Sequence, residues 1–183
     1  MEWNKFSMSA LRLIKQTEIT SSVSSVDITD VFSADFDIYK ITVDNVVQNS
    51  GSTASNVNLR FINSSGSLIT SNYQYAYQQL RNDAAYAEVK STSSSLFQQA
   101  ISQVDDNLYN GVGVIYVFNP FNSSSYSFIL NQAQGRSGSS KRGIKGIGVL
   151  PQTNSITGIN ISISGGSNIT GGNIKIYGLR VDS

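Results

Sequence analysis

Asp35 and Asp37 lie two residues apart, and Asp105 and Asp106 are adjacent. On a strand, Asp35 and Asp37 would share one face, the arrangement that a glycosidase carboxylate pair or a Ca²⁺ site requires. The plainer reading is polar residues flanking Phe36, because a hard-ion site draws more carboxylates into one neighbourhood. Asp105-Asp106-Asn107 likewise reads as a turn. These carboxylates are the main acid–base candidates, since the 183 residues contain no histidine and no cysteine. The commonest general base, the commonest metal ligand and the strongest neutral-pH nucleophile are missing. We therefore expect no enzyme, no catalytic residue, no metal site and no cofactor.

Two other groups could bind a partner. Residues 134–145 hold Arg136, Lys141, Arg142 and Lys145 in a Gly/Ser-rich loop, four of the 13 basic residues. Such a loop suits anionic glycan, phosphate or an acidic neighbouring subunit, against the plainer reading of a solvated hairpin. Tyr73, Tyr75 and Tyr77 recur at period 2 and share one strand face. Exposed, they would form a ligand or partner platform; buried, they are core, and period-2 tyrosines favour core or subunit interface. Gly143, Gly146 and Gly148 are flanked by Ile144, Ile147, Val149 and Leu150. That setting is a strand packing closely on a neighbour, not a phosphate loop, which needs a strand-to-helix turn. The Asn-x-Ser/Thr triplets at 63, 122, 160 and 168 are what chance gives in so Asn- and Ser-rich a chain.

The elements that must position these residues read as strands. Tyr39, Ile41 and Val43 alternate with Lys40 and Thr42; Val57, Leu59 and Phe61 with Asn58 and Arg60; Ile159, Ile161 and Ile163 with Asn160 and Ser162. One apolar and one polar face marks half-buried antiparallel strands. Turn residues such as Asn119-Pro120 and Gly165-Gly166-Ser167 separate them. Strands are expected near 11–19, 23–28, 36–47, 56–62, 71–80, 85–91, 111–118, 125–132, 143–149, 156–164 and 172–181. The fold expectation is all-β: an antiparallel, jelly-roll-like sandwich of about ten strands. Residues 95–106 break the pattern, because Leu96, Ala100, Ile101 and Val104 follow helical spacing. A helical turn or a long crossover loop is expected there.

Charged residues are only 14% of the chain and the net charge is +1. Solubility falls to Ser, Asn, Thr and Gln, whose burial costs less than burying ions, so the surface suits close assembly. That charge gives no drive toward nucleic acid. The N-terminus is too polar for a signal peptide, and no apolar run reaches the ~18 residues of a membrane helix. One domain over 11–183 is expected, preceded by an arm over 1–10. Trp3, Phe6 and Met8 in that arm suit an anchor docking on a neighbouring subunit or another protein.

Three segments carry a resemblance: ITSSVSSVDITDVFSADFDIYKITV at 19–43, GVGVIYVFNPFNSSSYSFIL at 111–130, and the closing ITGINISISGGSNITGGNIKIYGL. Together they resemble small β-sandwich virion proteins of tailed bacteriophages, especially cyanophage-like ones. The GG-x-I-x-I-YGL closure is the most specific part. The resemblance implies a jelly-roll-like module found in the virion, in a tail fibre or as a capsid decoration. It also implies homo-oligomers and contacts with other virion proteins; a homotrimer is expected, with host-surface glycan as a further candidate partner. It transfers no catalytic or binding residue to this chain. The reading favoured is a non-enzymatic tail- or fibre-associated structural component. Alternatives are a capsid decoration (cement) protein and a free-standing carbohydrate-binding module.

Overall fold

A computed structural model describes residues 10–49, 54–105 and 110–179. Trp3, Phe6 and Met8, with the rest of the expected arm up to residue 9, lie outside the described residues, as do Asp106 and Asn107. Among the described residues all regular structure is β: β1 (Leu11–Ile19), β2 (Ser25–Ile28), β3 (Ile38–Gln48), β4 (Ser55–Asn63), β5 (Tyr73–Arg81), β6 (Ala87–Ser94), β7 (Phe97–Val104), β8 (Gly111–Phe118), β9 (Ser127–Ser137), β10 (Ser140–Leu150), β11 (Ile156–Ile163) and β12 (Ile169–Leu179). Among the described residues no helix is long and apolar enough to cross a membrane.

The strands form two antiparallel sheets, β1-β12-β3-β8-β9-β10-β5-β6 and β2-β11-β4-β7. The pairing is nested: β1 with β12, β2 with β11, β3 with β8, and β4 with β7. Antiparallel pairs wound in this order, split over two sheets, make a jelly roll. Two hairpins, β5–β6 and β9–β10, are inserted into that frame and double the width of the first sheet. Alternation decides which side chains meet between the sheets: Tyr39, Ile41 and Val43 of β3, Val57, Leu59 and Phe61 of β4, and Ile174 and Ile176 of β12 are all buried.

The closing motif is explained by this packing. Gly172, at φ +142°, lies where the β12–β3 register shifts, and a Cβ there would press on Val46. A Cβ on Gly178 would come within 2.5 Å of the Phe36 ring. The motif's glycines and isoleucines thus serve the core.

Residues 95–105 are not helical, which corrects the expectation from their spacing and brings the strand count among the described residues to twelve. Gln99 and Ser102 have positive φ, 55° and 93°, and the β4–β7 register is interrupted between Val57 and Leu59. Each such kink resets the pleat, so Phe97, Ala100, Ile101 and Val104 all turn inward at three- and four-residue spacing. A bulged strand therefore imitates a helix in its apolar pattern. Side-chain amides replace the broken ladder. Gln99 N–H donates to Asn58 Oδ1 at 3.0 Å, and the Gln99 and Gln103 amides donate to Asn56 Oδ1 at 2.8 and 2.9 Å.

Candidate binding surfaces

The β9–β10 hairpin turns through Gly138-Ser139, with Gly138 at φ +59°. Its register sets Lys141 opposite Arg136, and sets Arg142 between Gly135 on one side and Arg81 of β5 on the other. Gly135 must be glycine, because a Cβ would lie 1.9 Å from the Gln103 carbonyl oxygen of β7. The hairpin tip is tied to the end of β5: Lys141 N–H donates to Asn82 Oδ1 at 2.8 Å, and Ser140 Oγ–H donates to Asp83. Arg81 Nε pairs with Asp83 Oδ1 at 3.2 Å. The Ser140 hydroxyl and then Arg81 hold the Asp83 carboxyl down at about 2.

A cleft of about 520 Å³ opens between these elements, walled by Leu80, Arg81, Asn82, Asn110, Gln134, Arg136, Lys141 and Arg142, with Gly135 and Gly143. Arg142 Nη1 donates to Gln79 Oε1 at 3.5 Å, while its Nε is buried without an acceptor among the described residues. Burial, and next Arg81's charge, lower the Arg142 pKa. Of the four cations expected together, Arg136, Lys141 and Arg142 converge on this cleft. Lys145 does not; it stands on the outer face of the sheet between Gln132 and Gln78. Arg81 completes the cluster and was missed in the sequence, where it is 55 residues from Arg136.

Tyr73, Tyr75 and Tyr77 are buried on the inner face of β5, which corrects their candidacy as surface contacts. Tyr73 accepts from Phe61 N–H at 2.8 Å, donates to Ile69 C=O at 3.0 Å, and packs edge-on against Phe97 with centroids 4.7 Å apart. Tyr75 and Tyr77 stack at 4.8 Å. Burial pushes the Tyr73 and Tyr77 phenols well above the ordinary tyrosine range. Asp35 and Asp37 lie exposed in the turn before β3, where Ser33 Oγ–H donates to Asp35. Among the described residues no group of three or more His, Cys, Asp or Glu could hold a metal ion.

The second surface is the outer face of the eight-stranded sheet. Directly opposed residues share a face, so the register maps its rows. One row runs Leu11, Leu179, Ile38, Phe118, Phe128 and Val149 across six strands. The next runs Leu13, Tyr177, Lys40, Tyr116, Leu130 and Ile147, with Ala76 beyond. Phe128, Leu130 and Ile147 are 43, 46 and 58% exposed. A shallow depression of about 480 Å³ lies among them, floored by Gly148 and bordered by Gln74 and Thr92. The signal was present in the sequence: Val112-Gly113-Val114-Ile115-Tyr116-Val117-Phe118 and Phe128-Ile129-Leu130 are apolar at both parities. Strands covered on both faces read this way.

No protein-family model matches the chain, and no curated protein does. Among solved structures, the chain is similar to the CBM2 module of the evolved Dit of Lactobacillus casei BL23 phage J-1, with 10% identity over 87% of this chain and 70% of that one and a TM-score of 0.28. It is also similar to the VP2 subviral particle of infectious bursal disease virus, with 12% identity over 94% of this chain and 41% of that one and a TM-score of 0.18. At these TM-scores neither likeness carries an argument about function.

Proposed function

We propose that this protein is a non-enzymatic structural component of a tailed-phage virion, a tail- or fibre-associated module that self-associates into a small closed homo-oligomer. The observation that carries the proposal is the pair of apolar rows on the outer face of the wide sheet. Six strands about 4.8 Å apart and two rows about 7 Å apart span on the order of 400 Å². That is within the range of the largest apolar patch on a monomer, and about half of a standard interface of about 800 Å² per partner, the share an apolar centre takes. The jelly-roll winding and the GG-x-I-x-I-YGL closure support the virion reading, through the resemblance they carry.

Light scattering on the purified protein tests self-association. The parent should exceed the 19.8 kDa of one chain, and Leu130→Glu should return it to that mass with its β-sheet spectrum intact. Protein counting on purified virions should find the chain at fixed copy number. A chain that is monomeric in solution and on the particle, or absent from the particle and binding glycan as a free monomer, would overturn the proposal.

A further inference from the structure

We propose that the apolar depression on the outer face of the wide sheet receives the N-terminal arm of a second copy, with Trp3 as its anchor and Phe6 beside it. The inference rests on the self-association proposed above and names what the second copy brings to that face.

The depression, about 480 Å³, has Phe128, Leu130 and Ile147 as exposed apolar walls and Gln74 and Thr92 on its border. An indole suits such a place. Its ring covers apolar surface, and a border amide or hydroxyl accepts its N–H. Trp3 is the only tryptophan in the chain, and Phe6 and Met8 follow it closely.

The arm leads into β1 beside the first apolar row, where Leu11 opposes Leu179. On its own sheet the depression is remote. Its centre, between β9 and β10, lies between four and five strand spacings from β1, about 22 Å. At about 3.6 Å per residue, Met8 reaches at most about 11 Å from Leu11, and Phe6 about 18 Å. Trp3, at about 29 Å, spans the gap only along a nearly straight path across the strands, an ordering that costs entropy. At Leu11 the chain points along the strands, not across them.

A second copy removes the gap. Rows that meet the same rows make an isologous pair about a twofold axis. Two such axes keep the strands of both sheets aligned. An axis across the strands sets Lys40 of one copy on Ile38 of the other, where its charge finds no partner. An axis along the strands sets Lys40 on the ring of Tyr116, which attracts it. Centred on the six strands of the rows, between β3 and β8, this second axis lays β1 of one copy over β10 of the other. Leu11 and Leu13 then fall on Val149 and Ile147, which border the depression. The arm of each copy thus starts at the depression of the other, with Phe6 and Trp3 both in reach. Strand β5 lies outside the stacked rows, so its exposed Ala76, also in the depression, meets the arm alone.

Trp3 supplies its own signal, since no other tryptophan contributes to the emission. Acrylamide quenching of that emission is read on the parent across a dilution series, with light scattering on the same samples. Trp3 should be shielded in the associated protein and open to the quencher once dilution or Leu130→Glu separates the copies. Trp3→Ala with Phe6→Ala should weaken association at least about tenfold. Ala76→Glu should do the same and expose Trp3. All three changes together should weaken it no more than either set alone, as expected of two sides of one contact. Melting temperatures near that of the dilute parent certify that the variants fold. Association with Trp3 open to the quencher, or with Trp3 shielded but indifferent to Ala76→Glu, overturns the docking and leaves self-association standing. A parent monomeric at every concentration overturns the self-association reading and this exchange with it, and Trp3 shielded in that monomer places the arm on its own chain.

Discussion

Gly143 and Gly146 are three residues apart on one strand, yet only Gly143 has room for a side chain. Gly146 faces inward over the Tyr77 ring, and a Cβ there would stand 2.0 Å from Tyr77 Cδ1. Tyr77 is held between the sheets by its stacking on Tyr75, so it has nowhere to yield. Gly146→Ala should therefore destabilise the protein by about 1–3 kcal/mol through overpacking. Gly143→Ala should be neutral or raise the melting temperature slightly, because it narrows the unfolded ensemble without a clash. Thermal denaturation of the two variants side by side checks the contrast. Equal melting temperatures would mean that β10 is not seated on Tyr77 as described. The same inward face explains Gly148, whose Cβ would meet the Phe97 ring at 2.5 Å. Aromatic rings on β5 and β7 thus dictate the glycine spacing on β10.

At the scale of elements, β7 depends on borrowed hydrogen bonds. Its ladder to β4 is broken where Gln99 is kinked, and the Gln99 N–H donates instead to Asn58 Oδ1, in a buried setting. Asn58→Ala should strand that donor at a cost of about 1–3 kcal/mol. Hydrogen exchange should quicken at Gln99 before the rest of the sheet loosens; unchanged protection there would remove Asn58 from this role. Such dependence also explains what was legible in the sequence. Period-2 alternation located strands such as β3, β4 and β11 because a run of unbroken pleat, as over Tyr39–Val43, Val57–Phe61 and Ile159–Ile163, writes itself into the residues. Residues 97–104 misled because two kinks convert a period of 2 into steps of three and four. The basic hairpin was visible as a cluster of like charges, but its cross-strand partner Arg81 was not, because register is set by the fold and not by proximity in sequence. The tyrosines showed their shared face without showing which side it was. That depended on β4 and β7 supplying Phe61 and Phe97 to cover them.

The inserted hairpins give the whole molecule two separate surfaces. They extend a four-strand half of a jelly roll to eight strands, which widens the outer apolar face, and their tips meet to enclose the basic cleft. Along β10, Ile147 and Lys141 are six residues apart, roughly 20 Å of extended chain. A second copy seated on the apolar rows would cover the part of β10 away from the hairpin tip. If the native state is such an assembly, mass action makes its stability depend on concentration. The melting temperature of the parent should rise as the protein is concentrated. Ile147→Lys places a second charge in the row that already holds Lys40, at its most exposed apolar position, where it would be desolvated without a partner on association. Ile147 is exposed in the isolated chain, so the fold itself should lose no more than about 0.5 kcal/mol. The variant should then match the parent when dilute and show no rise on concentration. A parent whose melting temperature is flat across a hundredfold range of concentration would contradict self-association through this face. A variant that melts well below the dilute parent would instead place Ile147 in the stability of the single chain.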